Sequence, residues 1–294
     1  MVLDLHTSIS GRFNDENVWI LDSETHGTAT IPLDAQSGQG IDPPWARYPA
    51  GVIFELRSLG VELRGFSGSV SSTVPIGSGL SSSAALEIAT ARIALAHGSQ
   101  MSRFDDIELA QICQRAEHAA TGVPCVIMDQ LSIVTGRPGS ATLIDCSTLD
   151  VVHIAVPEVV EIEHRFVVAR TLVGSEYAER VEQCRQIELI IGPLRDATMR
   201  DAERLPTDLL KSRARHVISE NGRVEAFAQA FRENDVRVAG QLMTESHRSL
   251  AQDYGTSTPR MDAAVESALQ EPRVLGARMT GGGFGGCIVI LKHR

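Results

Sequence analysis

The chain of 294 residues contains only two lysines, Lys211 and Lys292, and neither lies near a glycine-rich turn. No Gly-Lys-Ser/Thr tripeptide is therefore present, which excludes a P-loop. A G-x-G-x-x-G turn with a suitably placed acidic residue is also missing, and this disfavours a dinucleotide-binding βαβ unit. Any bound phosphate must then be met by backbone N–H groups, serine hydroxyls, arginine or a metal ion.

Positive charge, paired cysteines and long apolar runs are scarce as well. The formal net charge is −10 without a basic patch, which argues against a nucleic-acid-binding protein. No apolar run reaches the length of a membrane span, and the first residues lack a secretory signal pattern. Five scattered cysteines without a C-x-x-C pair predict free thiols in a reducing compartment. We expect a cytoplasmic, monomeric small-molecule enzyme with no membrane or nucleic-acid partner.

The order of apolar and polar segments predicts an α+β fold with two domains, residues 1–150 and 151–294. The segment 28–44, rich in Gly, Pro, Ser and Asp, is typical of a loop. Helices are predicted at 48–59, 82–97 and 104–120, and from 175 to 231 with breaks near Pro193 and Pro206. Strands are predicted at 18–21, 61–63, 70–74, 141–144, 151–156 and 166–169, and on either side of a glycine-rich turn within 273–291.

The segment Pro75–Leu86 joins a glycine-rich turn to three serines and then to a helical pattern. Gly77 and Gly79 allow the backbone to approach a ligand closely. Ser81, Ser82 and Ser83 are favoured N-cap residues, and a helix that starts there presents N–H groups to an anion. The segment therefore predicts a phosphate cradle, with an ordinary turn before a helix as the alternative.

Two carboxylates flank the turn that follows the third predicted helix. Glu117 lies near the end of that helix, and Asp129 follows within otherwise apolar sequence, where an unpaired charge is costly. One interpretation is a metal ligand at Glu117 and a catalytic carboxylate at Asp129; the other is a buried aspartate that caps a neighbouring helix. The glycine-rich stretch Thr280–Cys287 is open to two interpretations too, a ligand-closing loop or a hairpin turn.

Together these segments resemble the GHMP kinases, and within that superfamily the galactokinase family. The resemblance covers about residues 15 to 294. The matching segments, which occur in the family's order, are Pro75–Leu86 and Trp45-Ala46-Arg47-Tyr48 with Gly51-Val52, Gly122-Val123-Pro124-Cys125 with Met128-Asp129-Gln130, Ser175-Glu176-Tyr177 with Arg180 and Cys184, His216-Val217 with Ser219-Glu220-Asn221, Ser246-His247, and Arg278–Cys287.

The resemblance implies a ribosomal protein S5 domain 2-like domain followed by a ferredoxin-like domain, and an ATP-dependent kinase acting on galactose or a related sugar. Mg²⁺ would be held by Ser82 and Glu117, since this hard cation prefers oxygen ligands. Asp129 would accept the proton of the anomeric hydroxyl or hold that hydroxyl in line with the γ-phosphorus. Tyr177 would line the sugar side. Trp45 would lie near adenine, with packing in the core as the alternative.

The resemblance also implies which residues surround the ATP phosphates. The phosphate-binding residues would be Gly77, Ser78, Gly79, Leu80, Ser81, Ser82 and Ser83. The turn that closes over them would contain Gly281, Gly282, Gly283 and Gly285.

One family segment has no counterpart. Galactokinases carry the signature Gly-Arg-x-Asn-Leu-Ile-Gly-Glu-His-Thr-Asp-Tyr-x-Gly-Gly, whereas residues 1–7 resemble the strand that normally follows it. Either the chain starts at an internal methionine or the protein lacks half its sugar site. We expect Mg-ATP binding but little galactose turnover from these 294 residues, and recovery in an N-terminally extended form if upstream codons exist. The alternative function is a non-catalytic homologue that binds nucleotide as a sensor or partner protein.

Overall fold

A computed structural model of the chain describes residues 1–122, 125–169 and 174–294, without the side chains of Ser99, Ser175 and Tyr177. Backbone contacts divide it into two compact units. Unit 1 comprises Met1–Pro75 and Ser81–His153, and unit 2 comprises Ile76–Leu80 and Ile154–Arg294. Helices and strands occur in both units, which confirms the predicted α+β class. The segment Ile76–Leu80, the first part of the predicted phosphate cradle, thus groups with unit 2.

Unit 1 packs helices against a four-stranded sheet whose strand order is β1-β4-β2-β3. Strand β2 runs parallel to β4, and the other neighbours are antiparallel. The strands are β1 (Thr7–Asn14), β2 (Val18–Ser23), β3 (Gly27–Pro32) and β4 (Gly65–Ser72). A separate pair follows, β5 (Ser140–Asp145) and β6 (Asp150–Ala155), and the last two residues of β6 belong to unit 2. The helices are α1 (Arg47–Ser58), α2 (Ser82–Ala96), α3 (Asp106–Thr121) and α4 (Met128–Thr135).

The ends of α3 fix the position of Glu117. The helix begins with a capping box, in which Asp105 accepts from the backbone N–H of Glu108 and the Glu108 side chain accepts from that of Asp105. It ends at Gly122, whose φ of +70° is the left-handed conformation that glycine adopts without a Cβ clash. Glu117 therefore lies in the last turns of a helix with well-defined ends.

Unit 2 combines helices with a three-stranded antiparallel sheet of order β7-β9-β8. Its strands are β7 (Val160–Val168), β8 (Val274–Met279) and β9 (Gly286–His293). Its helices are α5 (Gly174–Ile191), α6 (Met199–Ala202), α7 (Asp208–Arg232), α8 (Val236–Ser249) and α9 (Pro259–Leu269), with a π-helical turn at Leu250–Tyr254. Within the described residues, no helix is both long and apolar enough to cross a lipid bilayer.

Most predicted elements are confirmed, including the three helices of unit 1 and the strand–turn–strand at the chain's end. The predicted strand at 61–63 is wrong, because this stretch is an irregular connection before β4. The predicted loop 28–44 contains β3, in which Ala29 and Ile31 are fully buried between exposed threonines. Residues 1–6 form no strand, and β1 begins at Thr7. These strands were missed because glycine, serine and threonine occupy their exposed face.

Candidate active site

The segment Ile76–Leu80 of unit 2, hereafter the phosphate loop, is shaped by two glycines. Gly77 and Gly79 have φ values of +70° and +73°, which an L-amino acid with a side chain rarely adopts. Between them Ser78 is buried at 1% exposure, and its Oγ accepts from the backbone N–H of Leu80 at 3.3 Å. The loop is therefore held by its own backbone conformation and by one short-range hydrogen bond.

The predicted closing loop is the turn between β8 and β9, hereafter the glycine turn (Thr280–Cys287), and it lies against the phosphate loop. A Cβ added to Gly281 would lie 2.9 Å from the carbonyl oxygen of Gly79, and one added to Gly286 would lie 2.5 Å from that of Ser78. Both glycines have positive φ, and so does Phe284 between them. The segment is thus both a hairpin turn and a close backbone support for the phosphate loop within unit 2.

A hydrogen bond anchors the glycine turn to the irregular segment after the π-helical turn. The backbone N–H of Phe284 donates to the carbonyl of Thr256 at 2.8 Å. A Cβ on Gly283 would meet that same carbonyl oxygen at 2.5 Å, whereas Gly282 is exposed. Gly285 is buried with a φ of +125°, a conformation open almost only to glycine.

In unit 1, the start of α2 differs from the predicted serine cap. Ser81 occupies the N-cap position in the left-handed conformation, with φ +60° and ψ +44°, and its side chain makes no cap hydrogen bond in the described structure. A left-handed conformation is uncommon for a residue other than glycine. The helix therefore starts without the side-chain cap that three serines predicted. Its first N–H groups carry the partial positive charge of the helix N-terminus.

Four side chains of unit 1, hereafter the carboxylate cluster, connect three helices: Ser83 and Glu87 on α2, Glu117 on α3 and Gln130 on α4. Oε1 of Glu117 accepts from Oγ of Ser83 at 2.9 Å, and Oε2 accepts from Nε2 of Gln130 at 2.8 Å. The same Nε2 donates to Oε2 of Glu87 at 3.0 Å. Glu117 is thus held at both oxygens. The serine that contacts it is Ser83, while the predicted ligand Ser82 is the half-buried first residue of α2.

Glu87 and Gln130 are fully buried, and sequence reasoning assigned a role to neither. Burial raises the pKa of Glu87 well above its usual range, and the negative charge of Glu117 raises it further. The signal that could have found Glu87 is the one that singled out Asp129, an acidic residue inside apolar sequence. Glu87 went unnoticed because it lies within a helical pattern.

Asp129 is the second residue of α4 and is half-buried. A carboxylate in the first turn of a helix is stabilised by the helix dipole. Its negative charge acts on Glu87, so Asp129 lies near the carboxylate cluster, and Gln130 of that cluster follows it in sequence. The proposed catalytic carboxylate and the proposed metal ligand therefore belong to the same part of unit 1.

Two further predicted residues lie apart from this cluster or outside the described residues. Trp45 belongs to a short 3-10 turn, where its ring packs against the core and its Nε1–H donates to the carbonyl of His26 at 3.1 Å. This geometry agrees with the core alternative, and the adenine assignment stays a prediction. The side chain of Tyr177 is outside the described part of the chain, as are Val123 and Pro124 of the turn before Asp129.

The donor atoms near Glu117 fit a hard divalent cation carried by phosphates. Hydroxyl and carboxylate oxygens are ligands that Mg²⁺ prefers, and it is usually bound by one or two carboxylates together with water and substrate phosphates. Among residues 1–122, 125–169 and 174–294, no group of three or more His, Cys, Asp or Glu side chains could hold a metal ion. A site that relies on Ser82, Ser83 and Glu117 is consistent with such shared coordination.

Two family models match the chain. Residues 47–137 match the GHMP kinases N terminal domain, and residues 227–294 match the GHMP kinases C terminal domain. The first match contains the start of α2, Glu117 and Asp129, and the second contains the glycine turn. The two family models thus match both regions that the sequence singled out.

Several galactokinases are similar over most of the chain. It is 41% identical over 273 residues to galactokinase of Homo sapiens, which covers 89% of this chain and 67% of the human protein. It is 39% identical over 299 residues to galactokinase of Thermococcus kodakarensis, with 100% and 83% covered. Identity to galactokinase of Bos taurus is 43% over 261 residues, 85% of this chain; that match spans 64% of the bovine protein.

Solved structures agree with these similarities. The structure of Lactococcus lactis galactokinase complexed with galactose superposes with a TM-score of 0.90 at 31% identity, covering 99% of this chain and 78% of that one. A mevalonate kinase superposes with a TM-score of 0.67 at 20% identity, which shows a shared fold. The predicted two-domain GHMP kinase fold is thereby confirmed.

Proposed function

Because the chain belongs to the galactokinase family of the GHMP kinases, we propose that it is an ATP-dependent sugar 1-kinase. The acceptor is the anomeric hydroxyl of galactose or a closely related hexose, and the products are ADP and the sugar 1-phosphate. The galactokinases among its relatives and the galactose in the Lactococcus lactis complex support this sugar class. The five unpaired cysteines support a cytoplasmic location.

The observation that carries the proposal is the first turn of α2 together with Glu117. Ser81, the N-cap residue of this helix, makes no side-chain cap hydrogen bond within the described structure, and Ser83 donates to Glu117. A helix start without a side-chain cap attracts phosphate. The carboxylate of Glu117 would repel that phosphate unless a cation lay between the two anions. Mg²⁺, when bound by Ser82 or Ser83 and Glu117, supplies the positive charge that ATP phosphates require during transfer.

Asp129 performs the protein's part of the chemistry in this proposal. It accepts a hydrogen bond from the anomeric hydroxyl, orients the hydroxyl oxygen toward the γ-phosphorus and takes up its proton as the new P–O bond forms. The bond between the γ-phosphorus and its bridging oxygen breaks, and ADP leaves. The phosphate loop supplies backbone N–H groups for the phosphates, and the glycine turn supports and closes that loop. Tyr177 is on the sugar side and Trp45 is toward adenine. A pure nucleotide sensor has no need of a carboxylate at Asp129, so the catalytic function is preferred.

A coupled assay of ADP release tests the proposal. The 294-residue chain, and the extended form if its reading frame continues upstream, are incubated with Mg-ATP and galactose, glucose or no sugar. Galactose-dependent ADP release with formation of galactose 1-phosphate is expected in at least one form. The proposal is overturned if both forms bind Mg-ATP and neither phosphorylates any hexose offered.

A further inference from the structure

Glu87 is a buried acidic residue for which the proposed reaction has no use. Its side chain lies inside unit 1 with no exposed surface. Oε2 accepts one hydrogen bond from Gln130, while Oε1 is buried without a partner among the described atoms. The charges that act on it, those of Glu117 and Asp129, are both negative. A carboxylate in such surroundings would be strongly disfavoured, since burial and both neighbours oppose its charge.

Gln130 shows a matching deficit. Its Nε2 donates to both Glu87 and Glu117, so both amide hydrogens are used. Its carbonyl Oε1 is fully buried and, like Oε1 of Glu87, has no partner among the described atoms. Rotation of the amide by 180° would turn this oxygen toward two carboxyl oxygens, which repel it. The orientation of the amide is therefore set by the two acids on either side.

A proton on Glu87 would allow the two orphaned oxygens to pair with each other. A neutral carboxyl group has one O–H donor, and the carbonyl of a primary amide is a good acceptor. The pair Oε1–H to Oε1 of Gln130, together with the observed Nε2–H to Oε2 of Glu87, is a two-point acid–amide pair. Without the proton, two buried acceptors remain unsatisfied, which is energetically costly.

Resting on the proposed function, we propose that Glu87 is a positioning residue of the metal site: through its two-point pair with the Gln130 amide it fixes the N–H that holds Oε2 of Glu117. Ser83 holds the other oxygen of Glu117, so both oxygens are hydrogen-bonded and the orientation of the carboxylate is fixed. Gln130 also follows Asp129 on α4, and its anchored side chain fixes the first turn that carries the proposed catalytic group.

Three variants separate this role from general packing. Glu87→Gln has the same shape, and its amide donates and accepts at the same two points. Glu87→Met fills a similar volume but leaves the Gln130 amide unpaired on that side. Thr90→Val is the matched control, because Thr90 is also fully buried on α2, yet among the described residues its hydroxyl bonds only to the carbonyl of Leu86 at 2.7 Å.

The readout is the affinity for a non-hydrolysable ATP analogue, measured by calorimetry with and without Mg²⁺. Losing the hydrogen bond that positions a metal ligand lowers metal affinity about 10–100-fold. Glu87→Met releases the Gln130 amide that makes this bond to Glu117, so it should lose up to that much of the Mg²⁺-dependent gain. Glu87→Gln and Thr90→Val should keep it within about twofold, well short of the loss expected for a missing partner. Affinity without Mg²⁺ should be alike in all four proteins.

Either of two results with the variants would overturn the inference. Glu87→Gln could lose as much as Glu87→Met, which would mean that a negative charge is required, or Glu87→Met could keep the full Mg²⁺ dependence. A protein that fails to fold is recognised from its thermal unfolding. The infrared carbonyl band of a neutral carboxyl group is expected in the wild type and not in Glu87→Gln. This band then tests the acid–amide pair between Glu87 and Gln130 without any nucleotide. If the wild type binds the analogue equally well with and without Mg²⁺, the positioning role is contradicted. Absence of sugar phosphorylation alone contradicts only the proposed function.

Discussion

The carboxylate cluster of unit 1 and the glycine turn of unit 2 are built by opposite means. In the cluster, four side chains from three helices position one another by hydrogen bonds between 2.8 and 3.0 Å. In the glycine turn, the backbone itself lies against the phosphate loop, and the space for a Cβ is absent at Gly281 and Gly286. The first region is specified by chemistry and tolerates isosteres, whereas the second is specified by shape and tolerates no added atom.

The largest effect is expected from Asp129→Asn, which changes chemistry and keeps shape. The amide cannot take the proton of the sugar hydroxyl, so turnover should fall by about 10²–10⁴-fold. Nucleotide affinity should stay nearly constant, because the carboxylate acts on the acceptor. ADP release and calorimetry measure the two quantities. Asp106→Asn is the control, since Asp106 is an exposed aspartate in the first turn of another helix. Near-wild-type turnover of Asp129→Asn would make Asp129 structural.

The next effect is expected from Gly286→Ala, which changes shape with almost no change in chemistry. Its φ of +103° is a conformation in which a side chain costs about 1–3 kcal/mol, and the new Cβ would also lie 2.5 Å from the Ser78 carbonyl oxygen. Gly192→Ala is the matched control, because its φ of +86° brings the same strain with no atom of the described residues within 4 Å of the Cβ. Urea unfolding should show a larger loss of stability for Gly286→Ala than for Gly192→Ala. Gly286→Ala should also weaken nucleotide binding. Equal losses would show that the close approach to the phosphate loop is unimportant.

A third prediction concerns His216, a buried ionisable group of unit 2. His216 on α7 is 5% exposed, its Nδ1 lies 2.9 Å from Oγ of Ser249, and its ring stacks on Tyr254. Burial lowers the pKa of His216 to about 4. The charged groups that face it are Glu220, Arg223, Arg278 and Asp253.

The sign of the pH effect follows from this lowered pKa. Between about pH 6.5 and pH 4, His216 is protonated in the unfolded chain but stays neutral in the folded protein. The free energy of unfolding therefore falls as the pH falls, by at most about 1.4 kcal/mol per pH unit. His216→Asn, which keeps a polar group near Ser249, should flatten the stability profile in this window. Denaturant unfolding at a series of pH values measures it. An unchanged slope would mean that other groups dominate acid unfolding.

The smallest effect is expected from Gly222→Ala, at a glycine outside both regions. Gly222 is exposed within α7, and in the described part of the chain a Cβ there meets no atom within 4 Å. Alanine in a helix interior is favoured over glycine by about 0.5–1 kcal/mol, so the variant should be slightly more stable with unchanged nucleotide affinity. Thermal unfolding measures the gain. A loss of stability would show that the contrast between the glycines does not depend on Cβ space.

Sequence reasoning identified the parts of the site whose residue types are unusual for their surroundings. Asp129 was singled out by its charge inside apolar sequence, and Thr280–Cys287 by its five glycines. The structure brings that turn against the phosphate loop, and it places Glu117 at the end of α3 as expected. The helices of unit 1 were predicted because their apolar residues repeat with the helical period.

What sequence reasoning missed depends on contacts between distant residues. Glu87 and Gln130 are 43 positions apart and meet only after α2 and α4 pack together. Ser81 is the N-cap residue, as predicted, but the described structure has no side-chain cap bond there, because three consecutive serines do not reveal that Ser81 takes a left-handed φ. The same limit applies to the choice between Ser82 and Ser83 as the partner of Glu117, which depends on the rotation of α2.

Mg²⁺-dependent nucleotide binding is the most direct test of the central claim that both regions serve an ATP-dependent kinase. Calorimetry of the 294-residue chain with a non-hydrolysable ATP analogue should show binding that strengthens with Mg²⁺. Asp129→Asn should retain that binding, whereas Glu117→Ala should lose the Mg²⁺ dependence. No detectable heat of binding at millimolar analogue and Mg²⁺, in a chain shown to be folded, would contradict the account.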